Sequence, residues 1–332
     1  MRVLLIGSAK PWRLEASLER AFRRAGHSTL LLDDRRMKQR VGRALTQRWM
    51  LRSAARFGPD FVFLSKCLAL DLDTVERVIR GRANAMWFQD PPWYTHVNRP
   101  DIAHIAAVGR LSAVFFVTGF EAEWRELGLP ARFLPAAADR DITPVPPDPA
   151  FAADVTFIGT GYDPTRAAFL QEVARHARLR IWGGGGEPWA HALDWGGRPI
   201  EGGEFAAACS SSAIVLGILP AVARGSTTYA SDRMWLTTLA GGFFLGAGTP
   251  GADRLLLDGM HCAWYTDLPS CIQQIRHYLA NSDERERIRA NGERFVREHH
   301  TFDQRICNLL AGEPFVNPLD VMEADVGRLA PT

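Results

Sequence analysis

Two places in the sequence combine residue types and spacings that chemistry can use. In the first, Ser231 and Asp232 precede Arg233 and an apolar helical body at 234–239. Gly241 and Gly242 then end that body before an apolar run at 243–245. A serine or aspartate at such a start caps a helix by accepting an amide hydrogen bond, and glycines stop it. The uncovered amides and positive dipole end seat phosphate, and Arg233 in the first turn adds a cation with a forked donor. An ordinary helix step with a surface arginine has the same spacing. In the second place, Asp90 follows the run 85–89 and enters a Pro91-Pro92 loop flanked by Trp87, Trp93 and Tyr94. A carboxylate among aromatic rings suits a ligand with apolar faces and hydroxyl groups, and can take a proton from one of them. A loop carboxylate also caps local amides. His96, a few residues on, is a weaker candidate.

The elements that must position these residues repeat one syntax. Residues 2–6 form an apolar strand ending in Gly7 and Ser8, 14–25 have helical spacing, and 28–32 form a second strand. That is a Rossmann-like βαβ opening, without a full G-x-G-x-x-G. The next strand, 59–66, delivers Ser65 and Lys66 to its carboxyl end, and the strand from 85 delivers Asp90. Open α/β sheets place ligands at those ends. A further strand at 113–119 and a helix at 120–127 complete residues 1–140. Residues 141–153 carry Pro144, Pro146, Pro147 and Pro149 and read as an extended linker. The syntax then restarts: strand 154–158, the turn Gly159-Thr160-Gly161, helix 166–177, and strand 180–182 opening into four glycines from Gly183. Backbone without Cβ can approach a ligand closely there. Trp182 either stacks on a base or fills a core. Strands at 213–219 and 261–265 and helices at 205–212, 268–279 and 284–299 follow, with a surface tail at 313–332. The expectation is an α/β protein of two Rossmann-like domains, 1–140 and 154–312, facing across a cleft.

At 332 residues the chain suits two such domains. A net charge of +2 gives no whole-chain field for nucleic acid. Lysine occurs only at Lys10, Lys38 and Lys66, so the positive charge is otherwise arginine, read as compositional bias. Five scattered cysteines without C-x-x-C spacing speak for a reducing compartment and against a structural zinc site. The opening run is too short for a signal peptide and no run is long enough to span a membrane, so a cytoplasmic protein is expected. Residues 35–56 carry eight basic side chains and no acid. As one helix they would set Arg48, Arg52 and Arg56 nearly on the face of Val41, Leu45 and Trp49. Either the helix breaks near Arg48 or arginine stems cover apolar surface. The stretch reads as a solvated face, or as a dock for an anionic acceptor, a membrane surface or nucleic acid.

The run from Ser231 to Trp235 followed by Ala240-Gly241-Gly242 resembles the donor-site helix of family-1/family-4-like glycosyltransferases, nearest to the CgeB-like two-domain group. The resemblance extends to Ala290-Asn291-Gly292 and to 300–305, covering 154–310 well and 1–140 loosely. Where that superfamily carries two glutamates, this chain has Leu236 and Thr228. The resemblance implies the GT-B arrangement, with a UDP- or GDP-linked sugar bound by the C-terminal domain and a hydroxyl acceptor by the N-terminal one. It implies no cofactor beyond that donor. With neither an Asp-x-Asp run nor an acidic cluster expected to hold a metal, leaving-group charge falls to Arg233, the helix start and the amides at Gly159-Thr160-Gly161, with no metal. Tyr229, Ser231, Asp232, Trp182, Gly183, Gly241 and Gly242 complete the expected donor side. Gly7, Ser8, Lys66, Trp93 and His96 form the acceptor side, and Asp90 acts as base or orients the acceptor. The alternatives are a non-catalytic nucleotide- or carbohydrate-binding protein, a DNA-modifying glycosyltransferase, and a GT-B-type epimerase.

Overall fold

The structure, a computed structural model, describes residues 1–92, 102–160, 164–184, 193, 198–219, 229 and 231–321. The chain divides into two compact units, Met1–Pro135 with Phe302–Phe315, and Ala136–Thr301 with the residues from Val316 on. The first unit runs β1 (Arg2–Ile6), α1 (Leu14–Arg24), β2 (Ser28–Leu32), α2 (Asp34–Val41), α3 (Arg43–Phe57), β3 (Phe61–Leu64) and α4 (Leu72–Ile79). It continues with β4 (Ala83–Phe88), α5 (Ile102–Leu111), β5 (Phe115–Val117), α6 (Glu121–Glu126) and β6 (Ala131–Phe133). The second unit opens with a 3-10 turn at Pro149–Phe151, then β7 (Ala153–Ile158), α7 (Pro164–Ala174), β8 (Leu179–Trp182), α8 (Gly203–Ser211) and β9 (Ser212–Gly217). After these come α9 (Asp232–Leu239), β10 (Phe244–Ala247), β11 (Ala263–Tyr265), α10 (Leu268–Ala280) and α11 (Ser282–His299). Helix α12 (Phe302–Ala311) belongs to the first unit.

Both sheets are parallel throughout. The first has the order β2-β1-β3-β4-β5-β6 and the second β11-β10-β9-β7-β8. Val3 to Ile6 of β1 are fully buried, as are Val62 to Leu64 of β3. Such unbroken apolar runs are what a parallel sheet covered by helices on both faces requires. In each sheet the strand order reverses once, between β1 and β3 in the first and between β7 and β9 in the second. Those two carboxyl edges are the switch points at which open α/β sheets hold ligands.

The boundaries differ from the sequence expectation in two places. First, α12 buries Phe302, Ile306 and Leu309 in the first unit. Phe302 packs edge-to-face on Trp87 with ring centroids 6.3 Å apart, and Arg24 grips Asp303 with two hydrogen bonds of 2.9 and 2.7 Å. An amphipathic helix carries no label for the core it enters, so its spacing alone could not assign it. Second, residues 141–152 are seated on the second unit. Ser210 and Ser211 accept from the amides of Val145 and Asp148, and Phe151 packs on Trp182 with centroids 5.1 Å apart.

Helix α9, expected at 231–240, is capped by Ser231, whose Oγ accepts from the Arg233 amide at 3.4 Å. Met234, Trp235 and Leu239 bury its inner face, and Trp235 stacks on His300 at 4.1 Å. Helix α11 packs beside it through Gly292, where a Cβ would lie 2.9 Å from Thr238 Cγ2 of α9 and would also overlap the His261 carbonyl oxygen. Residues 35–56 form two helices. The break falls at Gly42, whose φ of 79° favours glycine, rather than near Arg48.

Candidate active site

The second sheet's carboxyl edge carries a small open pocket. Gly217 at the end of β9 with Ile218 and Leu219 after it, Tyr229, Ser231 and Arg233 at the start of α9, and Phe244 and Trp264 line it. Arg233 lays its guanidinium over the Phe157 ring, 5.4 Å from the centroid. It fits there because Gly159 has no side chain, since a Cβ would stand 3.2 Å from Arg233 Nη2 and 2.7 Å from the Phe157 ring. Among the described residues, no carboxylate forms an ion pair with Arg233. A half-buried cation, a capped helix start and a glycine turn therefore meet at the switch point, an arrangement that receives an anion with two or more oxygens. Tyr229 lines the pocket and accepts from Thr249 Oγ1 through its carbonyl. Asp232 is exposed and does not line the pocket.

One contributor was not legible beforehand. Arg166, in the first turn of α7 and only 4% exposed, donates to the carbonyl of Ile218 at 3.0 Å and to that of Thr160 at 3.4 Å. It thereby ties the turn after β7 to the turn after β9, over the same Phe157 ring at 5.8 Å. Its sequence signal is a basic residue opening the helix after a glycine turn.

Three expected donor residues serve packing instead. Trp182 is 6% exposed, held between Phe151, Ile200 and Ala206, with Arg180 and Arg198 over its ring at 4.8 and 5.9 Å. No face remains for a base. Gly241 and Gly242 lie at the far end of α9, about 12 Å of helix from Arg233. Gly241 adopts φ 76° at the helix end with Pro144 2.8 Å from a Cβ position, and Gly242 faces Thr237 at 2.9 Å. Gly183 does stand at the sheet edge, where it lets the backbone cross, since a Cβ would overlap the Gly159 carbonyl oxygen at 1.6 Å. Gly161 and Thr228 lie outside the described residues. Leu236 is half-buried on α9.

In the first unit, the switch point brings Gly7 and Ser8 after β1 beside Ser65 and Lys66 after β3, with the Ser65 amide donating to the Ile6 carbonyl at 3.1 Å. Lys66 Nζ contacts Asp90 Oδ2 at 2.5 Å and sits 5.3 Å from the Phe88 ring centroid. Adjacent strands thus join two residues 24 positions apart into an ion pair whose side chains are 37% and 29% exposed, within reach of a ligand. Gly7 makes room for Glu15, whose side chain would stand 2.6 Å from a Cβ. Behind them Asp34, 2% exposed, accepts from the Ala69 amide at 2.9 Å, and burial raises its carboxyl above the usual range. Burial likewise pushes the Cys67 thiol well up, which keeps it protonated and inert. Trp93 and His96 lie outside the described residues.

The expectation of no Asp-x-Asp run is corrected by two such triplets, 71–73 and 139–141. Asp71 pairs with Arg43 at 2.5 Å and Asp73 with Arg77 at 3.5 Å, while Asp139 caps the Asp141 amide at 3.2 Å. Among the described residues no group of three or more histidine, cysteine or acidic side chains is placed to hold a metal ion. No helix among them is long and apolar enough to cross a membrane.

Residues 166–311 match the family model described as Glycosyl transferase-like. The fold matches solved GT-B structures. The Anabaena protein Alr3699/HepE in complex with UDP and glucose aligns at TM-score 0.65 and 10% identity, over 94% of this chain and 99% of that one. Sucrose-phosphate synthase from Thermosynechococcus elongatus aligns at 0.65 and 11%, over 94% and 98%. An α-glucosyltransferase in complex with UDP and a 13-mer DNA containing a HMU base aligns at 0.61 and 9%, over 94% and 99%. No curated protein sequence matches the chain.

Proposed function

We propose that this chain is a glycosyltransferase of hexosyl type. It moves a sugar from a UDP- or GDP-linked donor to a hydroxyl acceptor on a glycan, a lipid-linked sugar or a small molecule. The observation that carries this reading is Arg233 and the start of α9 converging with Gly159 at the second sheet's switch point. Arg233 and the start of α9 lie within residues 166–311, which match a glycosyltransferase-like model. The Anabaena neighbour of the same fold holds UDP-glucose in another complex. A CgeB-like membership rests on the helix motif and the tail helices.

In the reaction the bond from the anomeric carbon to the diphosphate breaks, and the acceptor oxygen bonds to that carbon. Negative charge gathers on the departing diphosphate. Arg233 and the first amides of α9 are fixed donors aimed at that charge, and fixed donors need no reorganisation as it develops. With them in place no metal is required for departure. Arg166 positions the turns that carry Thr160 and Ile218. Asp90 accepts the acceptor proton if the course inverts, and orients the acceptor if it retains. Lys66 fixes the carboxylate in either case. Four of the five cysteines are buried and all five are free thiols, which favours a reducing, cytoplasmic setting.

The test is release of nucleoside diphosphate from UDP- and GDP-sugars with and without a panel of hydroxyl acceptors, in buffer with and without EDTA. Acceptor-dependent, EDTA-insensitive release supports the reading. Leu236, in place of a carboxylate, favours one second reading, a non-catalytic nucleotide- or carbohydrate-binding protein. Binding without release would establish that one instead.

A further inference from the structure

The first unit carries a surface that its own folding does not explain. Helix α2 buries a single residue, Asp34, and exposes Arg35, Arg36, Lys38, Arg40 and Val41. Helix α3 turns Thr46, Met50 and Ala54 inward, which leaves Leu45, Arg48, Arg52 and Arg56 on the opposite face. Val41 and Leu45 flank the Gly42 break, 41% and 53% exposed, inside a field of cations. Of the eight basic residues between 35 and 56, Arg43 pairs with Asp71. No carboxylate among the described residues forms an ion pair with the other seven. The neighbouring loop adds Lys10, Arg13 and Trp12, which is 46% exposed, and is tied to the start of α2 by the Ala9 amide donating to Asp33 at 3.0 Å.

We propose that this α2–Gly42–α3 surface docks the chain onto an anionic lipid membrane. Unpaired cations beside exposed apolar side chains are what an interfacial element presents, with charge to the headgroups and Val41 and Leu45 to the acyl boundary. Charge complementarity alone would serve nucleic acid equally. The exposed apolar pair at the centre of the field decides for a membrane, because a phosphate backbone has no use for it. The surface lies on helices outside the Lys66–Asp90 pair and does not depend on how the donor pocket is read.

Sedimentation of the full chain with vesicles of phosphatidylcholine, alone or mixed with phosphatidylglycerol, tests this. Binding is expected only with phosphatidylglycerol and should weaken as salt rises. Each arginine near the surface contributes roughly fivefold, so Arg48→Ala, Arg52→Ala and Arg56→Ala together should weaken binding on the order of a hundredfold. Val41→Ser with Leu45→Ser should weaken it about tenfold while the charge is unchanged. All five positions are exposed, so thermal midpoints should match the parent, and Arg48→Lys alone should bind as the parent does. No sedimentation with phosphatidylglycerol vesicles would overturn the proposal, as would binding indifferent to Val41→Ser and Leu45→Ser. Arginine-dependent binding of duplex DNA without vesicle binding would assign the surface to nucleic acid instead.

Discussion

Replacing Arg233 by alanine isolates the element on which the proposed chemistry depends. The guanidinium lies over Phe157 at 5.4 Å and lines the pocket with Ser231 and Tyr229. Its contribution to folding is small, since a partly exposed cation over an aromatic face stabilises by about 0.5–1 kcal/mol. Its contribution to transfer is larger, because losing one fixed donor to developing charge typically costs about a hundredfold, or about 2.7 kcal/mol. The charge builds in the transition state, so the loss should fall on kcat more than on KM. The assay is initial rate of nucleoside diphosphate release across a range of donor concentrations at saturating acceptor, beside a thermal melt of each variant. Arg233→Lys keeps the charge but loses the planar fork, and should recover only part of the rate. A fully folded Arg233→Ala protein with unchanged kcat/KM would refute the reasoning, and the leaving group would have to be met elsewhere.

Asp90→Asn should lower turnover by about two to four orders of magnitude if the carboxylate takes the proton, whereas an orienting role predicts a rise in acceptor KM instead; acceptor titrations separate the two, and full activity removes Asp90 from the site. His261, buried against Phe295 at 4.1 Å, is held down to about 4, first by burial and then by His299 and Arg294. The unfolded chain protonates this histidine near 6.5 and the folded one resists. Stability is therefore fully present above about 6.5 and is lost as pH falls toward 4, by at most roughly 3 kcal/mol. Melts between those values should show the slope, and His261→Gln should flatten it. Gly292→Ala should destabilise the second unit by about 1–3 kcal/mol, because its Cβ would collide with the His261 carbonyl and press on Thr238 of α9; an unchanged melt would contradict this close packing at Gly292.

How much of this was readable in the sequence depends on what each residue type can signal. Both sheets were legible, because parallel strands buried on two faces write uninterrupted apolar runs such as 3–6 and 61–64. The start of α9 was legible from Ser231, and Arg233 from its place in the first turn. Glycines were not, because the same residue serves close approach to a ligand and close packing. Gly159 makes room for Arg233 over the Phe157 ring, while Gly241 and Gly242 end a helix against Pro144 and Thr237. Trp182 was ambiguous for a similar reason, and the core claimed it. Lys66 and Asp90 were each legible as strand-end residues, but their pairing needed the strand order. Arg166 was missed because its partners are backbone carbonyls, which leave no mark in sequence.

The central claim, that the second sheet's carboxyl edge is a nucleotide-diphosphate site, is tested most directly by thermal shift. The chain would be melted with UDP, GDP, ADP, TDP or CMP, and the same panel repeated with Arg233→Ala. A ligand at a hundred times its dissociation constant adds about 2.7 kcal/mol of stability. The account predicts that one nucleoside diphosphate raises the midpoint selectively and that the rise is lost in Arg233→Ala. No shift with any of the five, or a shift that Arg233→Ala leaves intact, would contradict it.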